Sequence, residues 1–69
     1  MAKSFLFLAD GFEEIEALGS VDILRRAGID VATVSITTER TVRGAHGVEV
    51  RADLTFKEAD FGGSDWLIL

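Results

Sequence analysis

Apolar and polar residues follow one another in blocks, and the blocks predict a strand, a helix and a second strand. An uninterrupted apolar run at residues 4–9 is typical of a strand buried on both faces, as in a parallel sheet. A helical pattern covers about residues 12–27, with basic residues in its last turn and Gly28 directly after it. Residues 30–36 are rich in β-branched side chains. Short connections between these blocks predict a βαβ unit with two parallel strands.

The blocks that follow predict a small hairpin and a third parallel strand. Residues 41–43 and 48–52 could pair around a Gly-Ala-His-Gly turn, and Asp53 or Thr55 could cap a short helical turn. Residues 65–69 form another apolar block, which predicts a further buried strand. The whole pattern predicts an α/β domain with a mainly parallel sheet.

The chain has 69 residues, enough for at most one small domain. Its last block finishes on apolar residues with no polar cap, and a final strand there would leave an unpaired apolar edge. We therefore expect residues 1–69 to be the N-terminal part of a single larger domain. The alternative is a small acidic interaction module that is complete at 69 residues.

Composition excludes several classes of function. A net charge of -5 argues against a nucleic-acid-binding protein, and the chain has no Cys for a disulfide, a thiol nucleophile or a thiolate metal site. His46 is the one imidazole, so no metal-ligand spacing exists, and we expect neither a metal nor another cofactor. The sequence has no secretory signal and no membrane-length apolar stretch, which favours a cytoplasmic protein.

Carboxylates cluster where the first strand passes into the helix. The spacing of Asp10 and Glu13 resembles a capping box, and Glu14 and Glu16 follow at once. We call residues 10–18, where the strand passes into the helix, the corner. It lies outside the carboxyl end of the first strand, which is where binding sites of open α/β sheets form. The alternative is that these acidic residues only complement the positive end of the helix dipole.

Glu16 differs from its neighbours on a helical wheel. It lies inside the apolar arc, between Ile23 and Ala27, whereas Glu14 lies on the opposite half. A carboxylate on the core side needs a hydrogen-bonding partner or a raised pKa, which is the environment of a general acid or base. The wheel position leaves two interpretations of Glu16 open: an acid/base group of a catalytic site, or a residue that only complements the helix dipole.

Ile15, Leu18 and His46 each allow two interpretations. Ile15 and Leu18 on the charged half of the helix are either scattered exposed residues or part of a surface covered by a dimer partner. Asp22 and Arg26 on that half are spaced for an i,i+4 ion pair. His46 is either a simple turn residue or a contributor to the site.

The residues of this corner resemble a known family. Asp-Gly-Phe-Glu-Glu-Ile-Glu at residues 10–16 and Val-Asp-Ile-Leu-Arg-Arg-Ala-Gly at residues 21–28 are similar to the opening of the ThiJ/PfpI superfamily, the group of the Parkinson-disease-associated protein deglycase. The likeness continues more loosely to Leu69 and so covers essentially the whole chain. One departure is Ser20, which stands where a proline is common in the family.

The resemblance implies a flavodoxin-like three-layer α/β sandwich, usually a homodimer, in which a glutamate of the first helix hydrogen-bonds a reactive cysteine. By position that glutamate is Glu16, and Asp10, Gly11 and His46 become candidates for lining the site. The first helix often lies at the family's dimer interface. The candidates there are Ile15, Leu18, Asp22 and Arg26.

The family's cysteine does not occur in these 69 residues. We therefore expect the chain to need a C-terminal segment and to be inert without it. The resemblance implies a cysteine-dependent enzyme for small reactive carbonyl or acyl compounds, of the glyoxalase, deglycase or peptidase type. The alternative is a non-enzymatic stress-response chaperone or redox sensor on the same fold.

Overall fold

A computed structural model describes residues 3–59, 61–63 and 66–68 of the chain. The elements in chain order are β1 (Lys3–Leu8), α1 (Glu14–Arg26), β2 (Asp30–Ser35), β3 (Thr41–Arg43), β4 (Glu49–Arg51), β5 (Leu54–Thr55), a 3₁₀ turn (Phe61–Gly63) and β6 (Trp66–Ile68). The α1 helix is the longest in the described part of the chain, and it is too short and too polar to cross a lipid bilayer.

Four of the strands form a parallel sheet in the order β5-β2-β1-β6. The three parallel strands expected from the sequence are therefore confirmed, although residues 65 and 69 of the last one lie outside the described part. Strand β5 was not predicted. The predicted hairpin is also confirmed, because β3 and β4 pair antiparallel with Val42 opposite Val50.

The sheet carries α1 and the β3–β4 hairpin on one face. Leu6 and Leu8 of β1 join a buried cluster to which the helix, β2, the hairpin and the following residue contribute Val21, Val31, Val42 and Ala52. Successive strand residues point to opposite faces, so Phe5 and Phe7 face the other way. The rings of both lie near Phe61, at centroid distances of 5.0 Å and 5.5 Å. Strand β1 is thus covered on both faces, as its continuous apolar run predicted.

The two ends of α1 form in different ways. At the C-terminus, Gly28 has a φ of 82°, and the amides of Gly28 and Ile29 donate to the carbonyls of Arg25 and Leu24. This is a Schellman motif, and it confirms Gly28 as the residue that ends the helix. At the N-terminus the predicted capping box is wrong. Glu13 occupies the cap position without a side-chain capping bond.

Asp53 also has a different role from the predicted helix cap. Its Oδ2 atom accepts hydrogen bonds from the amide and hydroxyl of Thr33 in β2, at 3.0 and 3.1 Å. Arg25 of α1 donates to the same oxygen at 2.9 Å. Asp53 therefore joins the chain after β4 to the helix and the sheet. Thr55 does begin a helical turn, since its carbonyl accepts from the amides of Glu58 and Ala59.

Candidate functional site

The corner between β1 and α1 is fastened to the turn of the β3–β4 hairpin by backbone bonds. The amide of Gly11 donates to the carbonyl of Arg43, and the amide of Ala45 donates to the carbonyl of Phe12, both at 2.8 Å. The amide of Arg43 donates in turn to Oδ1 of Asp10 at 3.1 Å. Asp10 therefore binds a residue far along the chain instead of capping the helix, and hairpin and corner form one unit.

Glu14 is the acidic residue of this corner that points inward. Its side chain is only 11% exposed, and Oε2 accepts from the amide of His46 at 2.8 Å and more weakly from that of Val48 at 3.4 Å. Its Oε1 atom lies 2.9 Å from Nδ1 of the His46 ring, which is itself 73% exposed. The carboxylate thus ties the first turn of α1 to both backbone and side chain of the hairpin turn.

Gly44 makes room for this carboxylate. A methyl group added at Gly44 would lie 2.5 Å from both Cδ and Oε2 of Glu14, well inside van der Waals contact. The φ of Gly44 is not positive, so its backbone could accommodate another residue. Glycine at this position therefore serves the close approach of Glu14.

The pair shifts the protonation equilibria of both partners. The hydrogen bond from the His46 side chain, helped by backbone amides and opposed by burial, lowers the pKa of Glu14 to about 2. The Glu14 carboxylate, with a smaller contribution from Glu13, raises the pKa of His46. An ionised Glu14 facing an imidazole ring is thus the stable state of the pair near neutral pH.

Glu13, Glu14 and His46 are close enough to suggest a cation site, with candidate ligand atoms within 4.8 Å of one another. Both oxygens of Glu14, however, already accept hydrogen bonds from the turn, and Nδ1 of His46 faces Glu14. A metal ion would have to displace these bonds. The arrangement is that of a hydrogen-bonded pair, and we assign no metal to it.

Glu13 lines a cavity of about 250 Å³ between α1 and strands β1 and β6. The walls are mainly apolar, with Phe12 and Ala17 on the helix side, and among the described residues Ser20 is the other polar side chain of the lining. The Ser20 hydroxyl donates to the backbone carbonyl of Glu16 at 2.7 Å. An apolar cavity with a carboxylate at its edge, beside the carboxyl end of β1, is suited to a small polar ligand.

The wheel-based placement of Glu16 on the core side is wrong, because its side chain is exposed. The buried stripe of α1 runs through Glu14 and Val21, which lie two turns apart, and Ala17 and Leu24 pack against the same core. The apolar arc is therefore confirmed on the side of Val21, whereas Glu14 was placed on the opposite half. The helix packs with this stripe toward the sheet and the hairpin, so Ile23, in the predicted apolar arc, is 67% exposed. The helical wheel placed Glu14 on the outer half and so did not identify it as a buried residue. Its partner, His46, lies 32 residues away in the sequence. Local spacing carries no signal for such a contact.

The candidate interface residues lie together on the outer side of α1. Ile15 is 88% exposed, whereas Leu18 is half-buried. The predicted ion pair between Asp22 and Arg26 is confirmed, with Nε of Arg26 at 3.2 Å from Oδ1 of Asp22. These residues form an exposed stripe on the helix, with one large apolar side chain and a charged pair.

Comparison with known proteins identifies the family. The sequence profile of the DJ-1/PfpI family matches residues 2–69. The chain belongs to the DJ-1/PfpI family. This confirms the ThiJ/PfpI resemblance. The chain is 32% identical to Protein DJ-1 homolog A of Arabidopsis thaliana over 62 residues, which are 90% of this chain and 16% of that protein. It is 33% identical to a deglycase of Thermococcus kodakarensis over 67 residues, which are 97% of this chain and 40% of that protein.

Solved DJ-1 structures share the fold. A cysteine-to-alanine mutant of a DJ-1 superfamily protein from Salmonella typhimurium superposes with a TM-score of 0.81 and 45% identity, over 84% of this chain and 31% of that one. Oxidized DJ-1 of Toxoplasma gondii superposes with a TM-score of 0.90 and 34% identity, over 97% and 36%. The flavodoxin-like α/β fold is therefore confirmed, and the chain spans well under half the length of these DJ-1/PfpI relatives.

Proposed function

We propose that this chain supplies the acidic half of a DJ-1/PfpI site whose cysteine comes from a segment outside these 69 residues. The intact protein, meaning this chain together with that segment, is then a cysteine-dependent enzyme for small reactive carbonyl or acyl compounds, of the glyoxalase, deglycase or hydrolase type. Glu16 is its acid/base partner, hydrogen-bonded to the thiol. We place the protein in the cytoplasm as a homodimer.

The observation that carries the proposal is the acidic corner beside the apolar cavity, in a chain of this family. Glu13 lines that cavity, and Glu16 is exposed one turn along the same helix. An exposed Glu16 is free to accept a hydrogen bond from a group that packs against α1. Among similar proteins, the Thermococcus deglycase supports carbonyl chemistry, and the Salmonella mutant shows that a cysteine of a relative has been replaced.

The deciding variant is Glu16→Gln in the intact protein, with methylglyoxal as the substrate. Glutamine keeps the size of the side chain but cannot take up or release a proton. We expect the turnover rate to fall by about 100-fold or more, the usual contribution of a positioned acid/base group. Glu39→Gln is the matched control, because Glu39 is also exposed but lies on the loop between β2 and β3. Near-normal turnover by Glu16→Gln would remove Glu16 from the mechanism.

A redox-sensing role is the second candidate, favoured by the oxidized form in which Toxoplasma DJ-1 was solved. In that case the intact protein would not turn over methylglyoxal, whereas peroxide would oxidise the cysteine thiol to a sulfenic acid, with the peroxide reduced to water. Glu16→Gln would then alter the rate of thiol oxidation, which intact mass measurement follows. Turnover and oxidation assays on one preparation therefore separate the two candidates.

A further inference from the structure

The first turn of α1 has no cap of its own. Glu13 holds the cap position in extended geometry but makes no side-chain capping bond, and the nearby Asp10 carboxylate accepts from Arg43 instead. Helices that begin without a local cap depend on other partners to fix their first residues. Glu16 lies in this first turn, and Glu13 directly precedes it. A contact that fixes the turn therefore also fixes the direction of both side chains.

The hairpin turn provides the missing partner. The carboxylate of Glu14 accepts from the amides of His46 and Val48 and faces the His46 ring, while the amide of Ala45 donates to the carbonyl of Phe12. A single buried side chain thus binds the middle and the end of the turn, at His46 and Val48. Successive helix residues are about 100° apart, so holding Glu14 inward fixes the direction of its neighbours.

We propose that Glu14 is a positioning residue: its carboxylate locks the turn of residues 44–48 onto α1 and thereby aims Glu13 and Glu16 at the site. This inference rests on the proposed function, because it assigns Glu14 a role in that same site. Glu14 itself touches no reacting atom. It acts through its neighbours, and Gly44 is part of the lock because a larger residue there would exclude the carboxylate.

The first experiment compares Glu14→Ala and Glu14→Gln in the intact protein, with methylglyoxal as the substrate. Alanine removes every bond to the turn, so we expect kcat to fall by about 10- to 100-fold with KM little changed, the effect of misaligning a catalytic group. A folded Glu14→Ala variant with normal kcat/KM would overturn the positioning role.

The glutamine variant gives a readout that packing alone would not move. The ionised carboxylate of wild-type Glu14 accepts a hydrogen bond from Nδ1 both when His46 is charged and when His46 is neutral with its proton on Nδ1. The glutamine side chain can still accept from the backbone amides. Its NH₂ group, however, can donate only to an Nδ1 without a proton. We therefore expect Glu14→Gln to keep most activity above the pKa of His46 and to lose about 10-fold or more below it, relative to wild type at each pH.

The titration of His46 itself is followed by NMR. The charged groups that face it are Glu13 and Glu14 from the helix side, while the Arg43 guanidinium lies beside Gly47 on the hairpin. We expect the pKa of His46 to fall when Glu14 becomes glutamine and to stay raised in the Glu39→Gln control. Two results would contradict the positioning role of Glu14. One is an unchanged pKa of His46 in Glu14→Gln. The other is a ratio of Glu14→Gln to wild-type activity that stays constant over the pH range in which His46 titrates.

These readouts also separate the two proposals. If the wild-type intact protein does not turn over methylglyoxal, the proposed function fails, and the His46 titration alone decides whether Glu14 locks the turn. If wild type is active and both Glu14 variants match it, the proposed function stands and the positioning role fails. If Glu14→Ala does not fold, the pH dependence of Glu14→Gln decides.

Discussion

At the scale of single residues, Glu14 and Gly44 depend on each other. Because the φ of Gly44 is not positive, a Gly44→Ala substitution acts through steric overlap with Glu14 and not through the backbone. We expect a loss of about 1–3 kcal/mol in the free energy of unfolding, as for other overpacked sites. Urea denaturation of the intact protein measures this loss.

The same overlap predicts strong coupling between the two positions. In a Glu14→Ala background the added methyl group at Gly44 meets no carboxylate, so the cost of Gly44→Ala should nearly vanish. A double-mutant cycle gives this coupling directly. Additive effects of the two substitutions would mean that Gly44 is needed for another reason.

Acid stability is a second property of individual residues. The pKa of Glu14 and that of Glu58 are each lowered from 4.5 to about 2, chiefly by the side chains of His46 and Arg40 respectively. Their folded values lie below the unfolded ones, so their contributions are complete above 4.5 and disappear as the pH falls toward 2. We expect the urea midpoint to decrease across this window.

Glutamine at either position should flatten that decrease, and the double variant should flatten it most. His46 acts in the opposite direction: its contribution is complete below 6.5 and is lost as the pH rises through its raised folded value. A pH profile of Glu14→Gln that matches wild type between 4.5 and 2 would contradict the ionised state assigned to Glu14.

At the scale of elements, the sequence predicted the parts of α1 that local interactions determine. The helix ends at Gly28 because a Schellman motif needs only neighbouring residues, and glycine supplies its positive φ. The start was not predictable in the same way. Asp10 has the spacing of a cap, but it bonds to Arg43 in the hairpin, 33 residues away. A contact formed by the tertiary fold thus replaced the local one.

The end of α1 provides a test at this scale. Gly28 has a φ of 82°, and a methyl group added there would meet no atom within 4 Å, so Gly28→Ala changes only backbone strain. We expect it to cost about 1–2 kcal/mol of unfolding free energy in the intact protein. Gly28→Asn is the control, since asparagine tolerates this conformation better. Equal losses for Ala and Asn would point to a cause other than φ.

At the scale of the whole molecule, the order of strands and helix was readable from the sequence, but the orientation of the helix was not. Continuous apolar runs identified β1 and β6 as strands of a parallel sheet, and the family resemblance placed them in a flavodoxin-like fold. The wheel of α1 gave a wide apolar arc without showing which part faces the sheet. Ile23 lies in that arc but is 67% exposed. The sheet and the hairpin pack against the side of the helix that carries Glu14 and Val21.

The proposed homodimer can be tested on the exposed stripe of α1, where we expect a second copy to pack. Ile15 is 88% exposed, and in a two-fold interface each substitution counts twice. Burying one isoleucine contributes about 1.5–3 kcal/mol, so Ile15→Glu should weaken dimerisation of the intact protein by roughly 100-fold or more. Ile36→Glu is the control, because Ile36 is 51% exposed and lies directly after β2, away from α1 in the chain. Sedimentation equilibrium measures both, and an Ile15→Glu protein as dimeric as wild type would exclude this face of α1 from the interface.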